Sequence, residues 1–182
     1  DKEEELRRLV EEVEKRLREL EKELEDLTDK IEKRLRESNE RIKKLSDDIR
    51  RRLEDLLRKV GDDSRLDDLR RDLKRVLDES EKSMRDHAER NKKSLERSKR
   101  SLDELRDIAR RVLETIKRIL EKGGERVEEL LKRIRDILKR VEEIVKEVLE
   151  RNRKVLEDNE RHAEEVLRRN KRLLEELEKR AT

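Results

Sequence analysis

The residues best equipped for chemistry are His87 and His162, the only histidines in the chain. They sit among Ser80, Ser83, Asn91, Ser94, Ser98 and Ser101 on one stretch, and Asn152, Asn159 and Asn170 on another. Imidazoles beside hydroxyls and amides support three kinds of chemistry: metal ligation, activation of a nucleophile, and a hydrogen-bond network that titrates near neutral pH. A metal centre needs a third ligand, usually another His, a Cys or a carboxylate. The chain has no Cys, and Met84 and Asn159 stand where Glu would precede each histidine by three. A Ser–His–Asp triad needs a carboxylate to orient the imidazole and a strained turn to present the hydroxyl. The spacing offers neither. No catalytic residue, no metal and no cofactor is expected, and the network is the leading reading.

The elements that must position these residues follow from hydropathy. From Leu6 through Val10, Val13, Leu17 and onward to Val60, apolar residues and Ser38 recur in steps of three or four with a mean of 3.6. That is one face of a continuous helix. The same pattern runs from Leu66 to Ile119 and from Val127 to Ala181. All three glycines lie between these runs, at Gly61 and Gly123-Gly124. Gly61 suits the left-handed residue that closes a helix. Ser64 with Asp67 reads as a capping box opening the second helix, and Glu125, Glu128 and Glu129 as the acidic first turn of the third. Each helix begins acidic and ends basic, complementing its macrodipole. The expectation is an all-α fold of three long antiparallel helices, about 2–60, 65–122 and 125–181, in one up-down-up, coiled-coil-like bundle spanning 1–182, free to assemble further. At about 1.5 Å per residue each helix would approach 80 Å.

Turns this short let residue numbers predict which positions meet. Pairs on helices 1 and 2 should sum to about 126, and pairs on helices 2 and 3 to about 247. His87 then meets Asn39 and Asn159, with His162 a turn away. Ser94 meets Asn152, and Ser80 meets Ser46 with Asn170 a turn off. The second helix shows seven successive polar inward positions: Ser80, Ser83, His87, Asn91, Ser94, Ser98 and Ser101. Unpaired buried donors and acceptors cost roughly 1–3 kcal/mol each, so such a core requires its members to satisfy one another. The expected buried network is these seven with Ser38, Asn39, Ser46, Asn152, Asn159, His162 and Asn170.

Composition narrows the functional class. Charged residues make up 59% of the chain, yet 55 Lys and Arg nearly cancel 52 Asp and Glu. Phe, Tyr, Trp, Pro, Cys and Gln are all missing. Interleaved charges and the lack of stacking aromatics argue against nucleic acid. The want of a long apolar run argues against a membrane span, and Asp1-Lys2-Glu3-Glu4-Glu5 lacks the apolar segment of a signal peptide. The chain reads as soluble, without a natural location, and compatible with cytoplasmic recombinant expression. Doublets such as Leu130-Leu131, Ile137-Leu138, Leu173-Leu174 and Val76-Leu77 widen the apolar faces of helices 2 and 3. They imply either a thicker contact between those helices or a groove for a further helix.

With its long helices, short Gly turns, Ser/Asn/His layers and missing aromatics, the chain resembles de novo designed helical bundles built with buried hydrogen-bond networks. The resemblance covers the whole length and is one of style. It implies a structural or assembly role without natural activity, with the chain itself, as monomer or homo-oligomer, or a designed helix as partner, and no small-molecule ligand. The His–Asn layers also resemble those of designed pH-responsive bundles, which implies that protonating buried His87 and His162 would disturb assembly. Buried neutral histidines would weaken the fold as pH drops below about 6.5.

Overall fold

The structure, a computed structural model, describes residues 2–122 and 127–181. It contains α1 (Lys2–Val60), α2 (Asp67–Lys122) and α3 (Val127–Ala181), each packed against the other two, and no strand among the described residues. The expected three-helix fold is what forms. The turn at Gly123-Gly124, the placement of Glu125, and the inward positions of Leu6 and Leu120 lie outside the described residues and side chains.

The first junction shows how local chemistry ends one helix and starts the next. Gly61 has φ +56, a conformation that costs an L side chain roughly 1–2 kcal/mol, and its N–H returns to the Leu57 carbonyl at 3.0 Å. The capping differs from the sequence expectation. Asp63, not Ser64, is the cap: its extended backbone lets the carboxylate accept from the Arg65 N–H at 3.0 Å. A carboxylate one residue earlier outcompetes the serine hydroxyl because its bond is charge-assisted. A single 3-10 turn, Ser64–Leu66, then leads into α2 at Asp67. Arg70 straps the junction by donating to the backbone carbonyls of Gly61 and Asp63.

The three helices contribute to two compact units, Asp1–Glu32 with Glu96–Arg153, and Lys33–Leu95 with Lys154–Thr182; they are called here the 1–32/96–153 and 33–95/154–182 units. In the second, Ser38 meets His87 while Arg50 meets Glu81, so α1 and α2 run antiparallel. Ser80 meets Asn170 while Asn91 meets Asn159, so α2 and α3 also run antiparallel. Its core holds Ile42, Ile49, Leu53, Leu73, Leu167 and Leu174, each at most 1% exposed. The core of the first unit gathers Val13, Leu17, Ile116, Leu131, Ile134 and Leu138. Each such aliphatic side chain contributes roughly 1.5–3 kcal/mol on burial.

The widened face of α2 is mostly absorbed by this packing. Leu77 rests on the second core, and Leu113 and Ile119 on the first. Ile108, Ile137 and Leu173 remain outward, at 36%, 42% and 40% exposure.

Candidate functional site

Helix periodicity places His87 and Asn91 one turn apart on the same face of α2, both buried. Ser38 on α1 is buried opposite them, while Asn39 and, from α3, Asn159 lie half-buried at the edges. The ring of His87 is held at both nitrogens. Nδ1 lies 3.3 Å from the Asn159 backbone carbonyl. A carbonyl only accepts, so Nδ1 carries the proton and donates it. Nε2 therefore offers a lone pair, which accepts from the Asn91 amide at 3.2 Å and from the Ser38 hydroxyl at 3.0 Å. The Asn91 amide donates its other hydrogen to Asn39 Oδ1 at 2.7 Å, and Asn91 Oδ1 accepts from Asn159 Nδ2 at 3.5 Å. The circuit thus leaves Asn159 by its amide and returns to it at its carbonyl, and Asn39 and Ser38 tie it to α1 as branches.

Burial holds the His87 imidazole below its ordinary value, because desolvation disfavours the charged ring. The Asn159 carbonyl and the Glu160 carboxylate draw it back upward, while Arg90 and Arg41 push it down. Arg41 also clamps the rim, donating to Glu160 through Nε at 2.7 Å and Nη2 at 3.1 Å. The clamp ties α1 to α3 next to Asn159. Sequence reasoning passed over it because charged pairs on a 59% charged chain look alike. The register that pairs helix 1 with helix 3 would have brought Arg41 to Glu160.

Two further polar layers use fewer groups. Asn170 Nδ2 donates to Ser80 Oγ at 3.0 Å, and Asn152 Nδ2 donates to Ser98 Oγ at 2.7 Å. Ser46 and Ser94 are buried as expected.

Besides the half-buried Asn39 and Asn159, three placements differ from expectation. His162 is exposed, and its neighbour Ala163 takes the buried position at 2% exposure. The buried positions of α3 step from Leu156 to Ala163, a whole heptad, and Asn159 covers the gap from the edge, which turns residue 162 outward. Ser83 and Ser101 are half-buried. At 101 the buried place goes to Leu102, at 1% exposure, since an aliphatic neighbour gains more from leaving water than a hydroxyl does. The seven-residue polar run of α2 therefore buries Ser80, His87, Asn91, Ser94 and Ser98.

His162 still comes near the network from outside. It lines a shallow groove of about 180 Å³ between α2 and α3 together with His87, Ser83, Asp86, Arg90 and Ala163. A larger groove of about 490 Å³ lies between α1 and α3, floored by Leu20, Leu27, Val145 and Leu149 and rimmed by charges of both signs. Among the described residues no three His, Cys, Asp or Glu side chains are grouped to hold a metal ion. No helix among the described residues is long and apolar enough to cross a membrane. In comparisons with known proteins, no family model, no curated protein and no solved structure matches the chain.

Proposed function

We propose that this chain is a designed structural protein without catalytic activity, in which buried Ser, Asn and His layers specify how the helices pair. The observation that supports this best is the closed circuit through His87, Asn91 and Asn159, to which α1 adds Ser38 on His87 and Asn39 on Asn91. Aliphatic contacts tolerate a helix sliding by a turn, because Leu meets Leu again. A circuit of donors and acceptors does not, because each slip leaves several buried groups unpaired at roughly 1–3 kcal/mol apiece. Both nitrogens of His87 are spent on neutral partners, which suits a structural imidazole better than a general base.

Light scattering across concentrations tests what the pairing builds. A constant mass near 22.3 kDa supports a self-contained bundle, and a concentration-dependent multiple supports assembly with itself. A Ser38→Ala, His87→Leu, Asn91→Leu triple variant then tests the role of the circuit. It should keep its helix content but lose its single set of interhelical NMR contacts. One well-defined set matching the parent would contradict the reading.

The circuit favours a second reading, that helix pairing is pH-sensitive. Nε2 of His87 is an acceptor, so protonating it turns an N–H against the Asn91 N–H; the Ser38 oxygen can turn to accept the new proton, but the Asn91 bond is lost. Asn91 could turn its oxygen toward the ring only by giving up its bonds to Asn39 and Asn159. The folded pKa of His87 is lowered, so the unfolded state binds the proton more readily. The contribution of His87 to stability is fully present above the unfolded value of about 6.5 and is lost as pH falls through the folded one. His162, being exposed, stands outside this mechanism.

A further inference from the structure

The layer around Ser80 carries polar atoms that its hydrogen bond to Asn170 leaves over. Ser46, at 1% exposure, has a buried Oγ without a hydrogen-bond partner, and so does Arg50 at Nε. The two residues stand one helical turn apart on α1. Arg50 Nε lies 3.7 Å from Glu81 Oε1, an ion pair longer than a hydrogen bond, so the guanidinium leans toward the turn of α2 that carries Ser80. The register fixed by Ser38 against His87 brings Ser46, eight positions further along α1, to the level of residues 79 and 80 of α2. Asn170 joins that level from α3 through its 3.0 Å bond to Ser80.

Side-chain size points the same way. Ser46 lies between Ile42 and Ile49, and Asn170 between Leu167 and Leu174, all in one buried cluster. A level made of two serines and an asparagine has less side chain than the aliphatic levels around it. Interiors that offer such polar room with two to four partners hold ordered water, whereas apolar cavities stay dry.

We propose that one water molecule is bound inside this layer, donating to Ser46 Oγ and accepting from the Ser80 hydroxyl and the Arg50 Nε–H. Ser80 already accepts from Asn170 and has its own hydrogen to give. Ser46 then keeps a hydrogen for the Ile42 carbonyl one turn back, the bond that Thr28 makes to Leu24 at 2.9 Å. The competing arrangement is that Ser46 makes this backward bond alone and the layer closes dry.

Crystal structures of the full chain and of its Ser46→Ala variant decide between them. The parent should show one ordered density peak at hydrogen-bonding distance, about 2.7–3.2 Å, from both Ser46 Oγ and Ser80 Oγ. The variant should lose that peak while keeping the Asn170–Ser80 bond. A parent interior with no peak, with Ser46 Oγ on the Ile42 carbonyl, would overturn the proposal. A peak that persists unchanged in the variant would overturn it too, since Ser46 would not be holding the water.

Discussion

The two compact units differ in what their polar layers ask of each member. In the 1–32/96–153 unit, Asn152 donates to Ser98 across a short bond, and a serine hydroxyl can rotate to suit whatever faces it. In the 33–95/154–182 unit, His87, Asn91 and Asn159 close a circuit with fixed donor and acceptor sides, and Asn39 and Ser38 join it as branches from α1. The aliphatic clusters flanking these layers are alike in kind, built from Leu, Ile, Val and Ala buried in steps of three and four. Burial of apolar surface is common to both units, and on the proposed reading only the circuit makes one of them choosy about register and protonation.

The contrast can be tested from its strongest element downward. Leu73→Ala and Leu131→Ala each empty a fully buried position, one per unit. Each should cost roughly 2–5 kcal/mol in denaturant unfolding, depending on how far the site collapses. Similar losses would mark the aliphatic clusters as equivalent, while a much smaller loss in one unit would show its core to be loose. Asn91→Leu should cost roughly 1–3 kcal/mol by stranding Asn39, Asn159 and His87 together. Asn152→Leu should cost less, because it strands a rotatable hydroxyl. Equal penalties would erase the distinction between circuit and pair.

Much of this was legible in the sequence, for identifiable reasons. The 3.6-residue spacing and the placement of Gly61 specify α1 and its end directly, since few chains can bury a single stripe any other way. Matching residue numbers across the turn brought His87 to Asn159 and, on α1, to within one residue of its partner Ser38, because a short turn leaves little freedom in register. His162 was misplaced because the same arithmetic gives depth along a helix but not rotation about it. One residue is about 100° of rotation, enough to exchange a buried Ala163 for an exposed histidine. The Asp63 cap was hidden by a run of Asp62, Asp63 and Ser64, any of which has the chemistry to cap.

Smaller effects sharpen the comparison further. Hydrogen exchange, corrected for intrinsic rates, should show protection falling between pH 7.5 and 5.5 in 33–95 and 154–182, while 4–32 and 96–122 hold theirs. A uniform loss across both sets would place the sensitivity outside the circuit. His162→Gln should shift stability by less than about 0.5 kcal/mol, as befits an exposed side chain.

The most direct test is the free energy of unfolding measured by denaturant between pH 7.5 and 5.5, for the parent chain and for His87→Asn. The parent should lose stability as pH falls through this window, because the unfolded imidazole takes up its proton near 6.5 while the buried one resists. The variant, with no buried imidazole, should give a profile that is nearly flat. Two parallel slopes would contradict the account, showing that the circuit around His87 does not couple helix pairing to protonation.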